Sequence, residues 1–290
     1  MIGSLYAAYL SRAGYSVTIY ARGKRLDALN EKGLLYLEKG KIRNAKVSAI
    51  EKLEQNDCYD YIFLTVQEKQ LHTALRELVD NCSPTIVTMV NSIEAYENWE
   101  AICGAGRILP AFPGAGGSIK DDVLNAALTP WIIQPTTFAE IGSGVTDRVR
   151  ILKEVFRKAK IPTQIVSNMH DWQLCHLAMV VPLADAYYMT DKPESVHRDK
   201  WIMKQTAVAL RDNFRKLKAM GISISPTKMH IFRLCPIAVT AAILPLVYRS
   251  EFGDRFMYQH AMKAREEMDI LHKQFYDFLK GKDFCNERSV

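Results

Sequence analysis

Apolar positions recur with two different periods along this chain, and the change between them divides it. Over residues 3–13 Leu5, Tyr6, Tyr9 and Leu10 fall on one side of a helix opened by Gly3, with Ser4, Ala7 and Ala8 on the turns between. Ala13-Gly14 ends it, since glycine takes the left-handed C-cap conformation without a Cβ penalty. Residues 15–20 then alternate Val17 and Ile19 against Ser16 and Thr18, the period of a strand. A polar helix follows over 24–32, and short strands over 34–38 and 46–50 flank a turn at Gly40. Residues 61–66 and 85–90 are continuous apolar runs of the kind that parallel strands show when both faces are covered. Between them a helix spans 67–79, with Leu71, Leu75 and Leu78 inward.

The stretch 104–117 reads as irregular and glycine-rich. Its Gly114–Gly117 run is expected to be a turn, because it lacks the G-K-[ST] ending of a phosphate loop. Two more strands are predicted within 131–141, a helix over 147–159 and a last strand over 161–166. From Asn168 onward the pattern is helical only, over 170–189, 199–220, 227–248 and 254–280. The last is amphipathic, with Met262, Met268, Leu271 and Phe275 inward. Alternating apolar strands and helices predict a doubly wound α/β domain of Rossmann type over 1–166, followed by an all-α domain over 167–290.

Helix, tight turn, strand and basic turn form the second half of a dinucleotide-binding unit. Of its G-x-G-x-x-G fingerprint only x-x-G stands here, as Met1-Ile2-Gly3; the first strand and the first two glycines are absent. That strand is central in such a sheet, so its loss would expose a neighbour on each side, and Met1 is expected to be an internal residue of a longer chain. Ligands of these sheets sit at the carboxyl ends of the strands. Arg22, Gln67 and Asn91, one after each of three strands, are therefore expected around one cleft. At the place where an Asp or Glu would read a ribose hydroxyl the chain has Ala21-Arg22-Gly23-Lys24-Arg25, which favours the 2′-phosphate of NADP.

Composition narrows this little further. The 290 residues are 48% hydrophobic and 24% charged with a net charge of +6, as in a soluble globular protein of one or two domains. Basic residues are interleaved with acidic ones, so no nucleic-acid footprint is predicted, while a weak positive field suits an anionic cofactor or a small carboxylate. Six cysteines, at 58, 82, 103, 175, 235 and 285, show no C-x-x-C spacing; no metal site is predicted, and reduced, mostly buried thiols of a cytoplasmic protein are expected. No signal peptide is read at the N-terminus. The longest apolar run, 235–248, is too short for a membrane span and holds two prolines.

The order of parts resembles the ketopantoate reductase (2-dehydropantoate 2-reductase) family. The resemblance rests on GSLYAAYLSRAGYSVTIYAR at 3–22, LTVQEKQ at 64–70, VNS at 90–92 and the Trp172 helix that opens the second domain. It implies NADP as cofactor, a small keto acid or ketone as substrate, and hydride transfer in the interdomain cleft. Arg22 takes the place of the arginine that pairs with the 2′-phosphate, and Gly3 that of the pyrophosphate turn, with Lys24 beside them. The family's V-K-x-x-Q becomes Val66-Gln67-Glu68-Lys69-Gln70, which keeps Gln70 and replaces the lysine by Gln67; Q-N-G becomes Val90-Asn91-Ser92, which keeps Asn91.

The catalytic positions depart further. The family carries a general-acid lysine shortly after the tryptophan, then two asparagines four residues apart; here no lysine is present and Val180 and Ala184 stand for the asparagines. His176, one helical turn after Trp172, is the acid–base group in place to give a proton to a forming alkoxide. For the family's substrate-binding serine and glutamate the chain offers Ser250 and His260, with Glu266 and Glu267 further on. Two functions follow: an NADPH-dependent reductase of this type, or a cofactor-binding protein of the same fold without the activity. The amphipathic C-terminal helices point to a homodimer.

Overall fold

The structure is a computed structural model that describes residues 1–142 and 144–281; the side chain of His260 and Cys285 lie outside the described part. Two compact units divide the chain, Met1–Asn91 with Ala95–Met169, and Ser92–Glu94 with the chain from His170 onward.

In the first unit α1 (Ile2–Arg12) is followed by β1 (Thr18–Tyr20), α2 (Gly23–Lys32), β2 (Leu34–Glu38), β3 (Lys41–Ala45), β4 (Ser48–Ile50) and β5 (Ile62–Leu64). Next come a 3-10 turn, α3 (Leu71–Glu77), β6 (Ile86–Met89), α4 (Tyr96–Cys103) and β7 (Ile108–Phe112). The unit closes with β8 (Ala115–Lys120), β9 (Val123–Leu128), β10 (Thr136–Phe138), α5 (Asp147–Lys158) and β11 (Thr163–Ile165). The main sheet runs β11-β10-β7-β6-β5, with β10 antiparallel to β7 and the other pairs parallel. β1 pairs in parallel with β4 in a separate two-stranded sheet.

Among the described residues no ladder joins β1 to β5, so each has a partner on one side only. Accordingly Ile62 and Phe63 of β5 and Ile19 of β1 are only half-buried, whereas all four residues of β6 are buried. α1 carries both halves. Tyr6 and Leu10 join a core with Val87, Leu109, Phe138 and Phe156, while Ala7 and Ala8 join a second with Leu29, Leu34 and Ala45. Gly14 ends the helix at φ +87°, a conformation that needs glycine.

Several expectations are corrected here. The run Gly114–Gly117 is not a turn: Ala115 onward forms β8, antiparallel to β9. A side chain on Gly117 would meet the Ala126 Cα at 2.4 Å, so the glycines serve close strand packing that the composition of the run masks. The stretch thought irregular also holds β7 and the start of β8, the edge strand of a four-stranded sheet ordered β3-β2-β9-β8. Within 131–141 there is one strand, β10, because Trp131 and Ile132 turn outward after Pro130. Cys58 and Cys82 are not reduced thiols but form a disulfide between exposed residues. Parallel neighbours β5 and β6 set the loops that precede them side by side, which brings the two Cα atoms to 5.4 Å. This bond removes the cysteine-based ground for a reducing compartment. At the same end Arg107 donates to the carbonyls of Leu78, Asn81, Ser83 and Cys103 at 2.7–3.2 Å.

The second unit is helical: α6 (Met169–Tyr188), α7 (Lys200–Ala219), α8 (His230–Leu234), α9 (Ile237–Tyr248), α10 (Gln259–Lys263) and α11 (Arg265–Phe278). Leu177 and Val181 of α6, Leu210 and Phe214 of α7, and Leu271 and Phe275 of α11 meet in its core. Asp199 caps α7 by accepting from the Trp201 and Ile202 amides. The helix expected over 227–248 breaks at Cys235-Pro236, since proline offers no amide to continue it. The one expected over 254–280 is divided into a π-turn, α10 and α11, which leaves Met262 exposed rather than inward. Among the described residues no helix is long and apolar enough to cross a membrane, and no group of three His, Cys, Asp or Glu side chains is placed to hold a metal.

Candidate functional site

The first turn of α1 has amides with no intrahelical acceptor and no side-chain cap, the arrangement that receives anions at helix N-termini. Gly3 lets this turn press against the residue after β5: a Cβ there would lie 2.7 Å from the Thr65 hydroxyl oxygen. The N-terminus of α1 is thereby held at the carboxyl end of β5. β5 and β6 are parallel, so Gln67 and Asn91, just beyond them, share that end of the sheet. Gln67 and Gln70 bracket the 3-10 turn and are exposed, as is Lys24 in the first turn of α2. The Asn91 side-chain oxygen is buried without a hydrogen-bond partner among the described residues, an acceptor held ready beside the strand end.

Arg22 stands at the N-cap of α2, two residues past β1. Its guanidinium donates to Glu77 at 2.8 Å and to the Tyr20 hydroxyl, and lies 5.1 Å from the Tyr20 ring centre. Arg25 is the residue that the sequence did not single out. From α2 it donates to the buried Ser4 hydroxyl at 3.1 Å, and burial lowers its pKa, so a part-desolvated cation stands beside the first turn of α1. Beforehand it stood out only as part of the basic turn Arg22-Gly23-Lys24-Arg25.

In the second unit Trp172 and His176 stack one turn apart on α6, ring centres 5.3 Å apart and 7° from parallel. His176 is 8% exposed. The start of α6 is tied to the 222–225 segment: Asp171 accepts from the Ser223 amide at 3.0 Å, and the Ser225 amide approaches the Cys175 sulfur. Burial, eased by that amide, pushes the Cys175 thiol up to about 11, so it carries no nucleophile. Ser250 donates to the Val247 carbonyl at 2.6 Å and accepts from the Gly253 amide at 3.0 Å, so its hydroxyl closes a local turn after α9. The backbone of His260 lies in α10, and its side chain belongs to the part not described. Tyr187 was not foreseen: it is buried between Tyr248 and Tyr258, and its hydroxyl has no hydrogen-bond partner among the described residues. Burial raises its pKa far above the usual range. Tyrosine in an apolar helix pattern looks like a core residue, so nothing in the sequence marked it.

A Rossmann-type α/β unit with a helix N-terminus at its strand ends, joined to an all-α unit, is the class that these features define. Residues 1–122 match the family model described as "Ketopantoate reductase PanE/ApbA", so over that stretch the resemblance to ketopantoate reductases holds. A 2-dehydropantoate 2-reductase of Pyrococcus horikoshii is 25% identical over 176 residues, which cover 59% of this chain and 55% of that protein. The chain spans about half the length of the curated relatives of this kind. The crystal structure of 2-dehydropantoate 2-reductase from Geobacter metallireducens superposes with a TM-score of 0.66 at 15% identity, over 94% of this chain and 95% of that one. D-mandelate dehydrogenase with NADH and anilino(oxo)acetate gives a TM-score of 0.66 at 13% identity, over 97% and 96%. These structural likenesses establish the fold.

Proposed function

We propose that this protein is an NADPH-dependent reductase of a small keto acid or ketone, of the ketopantoate reductase type. The observation that carries the reading is the first turn of α1 packed through Gly3 against the end of β5, with Arg22 beyond β1. The residues present fit a dinucleotide: a cradle at Gly3 that a Cβ would fill, an Asn91 oxygen without a partner among the described residues, and the cations Arg22 and Arg25. The α1 amides with Arg25 hold the pyrophosphate, Arg22 with Lys24 holds the 2′-phosphate, and Gln67, Gln70 and Asn91 line the rest. The bound nicotinamide supplies the hydride. His176 gives the proton to the carbonyl oxygen as it becomes an alkoxide, with its ring plane fixed by Trp172. A keto acid's carboxylate is recognised by the second unit, where His260 is a candidate that the resemblance offers; the Ser250 hydroxyl gives its proton to the Val247 carbonyl and has none for a carboxylate.

The test is a fluorescence titration with NADPH and NADH in parallel, followed by a keto-acid panel read by loss of NADPH absorbance. Arg22→Ala is expected to weaken NADPH by about tenfold or more, the scale of one charge-assisted phosphate contact, with NADH nearly unchanged. Equal loss for both cofactors would remove Arg22 from the 2′-phosphate. A second reading, a cofactor-binding protein of this fold without reductase activity, is favoured by the burial of His176 against Trp172 and by the absence of the family's lysine. NADPH binding with no carbonyl compound reduced across the panel would select it. We also propose a homodimer through α8 and α9, on which Ile231, Leu234, Val239, Ile243 and Leu246 are each exposed. Leu246→Glu should convert a dimer into monomer in light scattering; an unchanged mass would place the contact elsewhere.

A further inference from the structure

Arg22 does not stand alone at the end of β1. Glu77, the last residue of α3, offers one carboxylate oxygen both to Arg22 at 2.8 Å and to the Tyr20 hydroxyl at 2.9 Å. The Arg22 guanidinium also donates to the Tyr20 hydroxyl, so strand, turn and helix end meet in one closed set of polar contacts. The pair lies at the surface, with 63% of the Arg22 side chain and 35% of the Glu77 side chain exposed. An ion pair of that exposure is weak and opens readily in water. A guanidinium fork fits a carboxylate and a phosphate in the same way.

We propose that Glu77 occupies, on Arg22, the place of the ribose 2′-phosphate, and so sets how strongly this chain distinguishes NADP from NAD. The proposal rests on the reading that Arg22 meets the 2′-phosphate. A 2′-phosphate must displace the carboxylate and then sit within a few ångströms of it, anion against anion. A 2′-hydroxyl brings no such charge, and a carboxylate at the end of the second strand is what accepts from that hydroxyl in NAD-binding proteins. Glu77 therefore acts against NADP and for NAD, while Arg22 acts the other way. Tyr20 holds the carboxylate in place from the strand side, through a contact that involves neither cofactor.

Glu77→Gln keeps the shape and removes the charge. Two unit charges about 5 Å apart near a protein surface interact strongly enough to move binding by about three- to tenfold after screening. NADPH and adenosine 2′,5′-bisphosphate are thus expected to bind about three- to tenfold more tightly to Glu77→Gln than to the unchanged protein, and NADH no more tightly. The gain should shrink at high salt. Glu77→Ala, with circular dichroism to confirm folding, should move in the same direction. Weaker NADPH binding by both variants, or an unchanged NADPH-to-NADH ratio, would overturn the proposal and make Glu77 a residue that positions Arg22. Arg22→Ala in the same titration separates the two failures. If it abolishes the preference for NADPH while the Glu77 variants do nothing, only the role of Glu77 is lost. If Arg22→Ala leaves the ratio unchanged, or none of the proteins binds any of the three ligands at millimolar concentration, both are lost.

Discussion

His176→Ala is expected to lower turnover of a keto-acid substrate by about 10²- to 10⁴-fold, the usual contribution of a positioned general acid. The NADPH dissociation constant should stay nearly the same, since Gly3, Arg22 and Asn91 belong to the other unit. A loss in kcat without a matching change in cofactor affinity is the signature of a group that acts only in the transition state. The stacking of His176 on Trp172 demands a control, because removing the ring also removes a packing contact. His176→Phe keeps an aromatic face against the indole but carries no proton. If the histidine is the acid, Phe is as inactive as Ala while its melting temperature stays closer to that of the unchanged protein. If Phe retains turnover, the ring is structural and the cofactor-binding reading without reductase activity gains ground.

How much of this was legible in the sequence differs sharply between elements. α1 and the Gly14 turn were, because helical spacing and a glycine at positive φ leave a local record. So were β5 and β6, whose short apolar runs are of strand length and rich in β-branched and aromatic residues. β7, β8 and β9 were not: Pro110 lies inside the first and Pro113 just after it, and the Gly114–Gly117 run reads as loop although its glycines admit a neighbouring strand. That information lies in the partner strand rather than in the run itself. The candidate site shows the same split. Gly3 was singled out by the remnant of a glycine fingerprint and Asn91 by its place after a strand, whereas Glu77 on Arg22, Arg25 on Ser4 and the buried Tyr187 hydroxyl depend on residues far away in sequence. Ser250 had a plausible spacing, yet its hydroxyl is taken up by its own turn, which spacing cannot reveal.

Phe156→Ala is expected to destabilise the first unit by about 3–5 kcal/mol, the range for truncating a buried aromatic residue. Phe156, on α5, is fully buried, and its ring lies 5.7–5.9 Å from the rings of Tyr6, Phe63 and Phe138. It is thus the point where α5 meets α1, β5 and β10, and three rings that pack edge-on or tilted around it cannot all collapse into the space it leaves. A loss of that size is a large part of the 5–15 kcal/mol that holds a typical domain, so the denaturation midpoint should fall well below that of the unchanged protein. The consequence reaches the site. Tyr6 hydrogen-bonds Thr136 at 2.6 Å from the same helix whose first turn carries Gly3, so the N-terminal half of α1 is held by this core and by the end of β5. Phe156→Leu, which refills much of the volume, should cost clearly less than Ala in urea unfolding. If Ala and Leu unfold at the same midpoint as the unchanged protein, the α5–α1 contact is not what holds the first unit. The position of the α1 amides would then need another support, and β5, with one edge unpaired among the described residues, is not placed to give it alone.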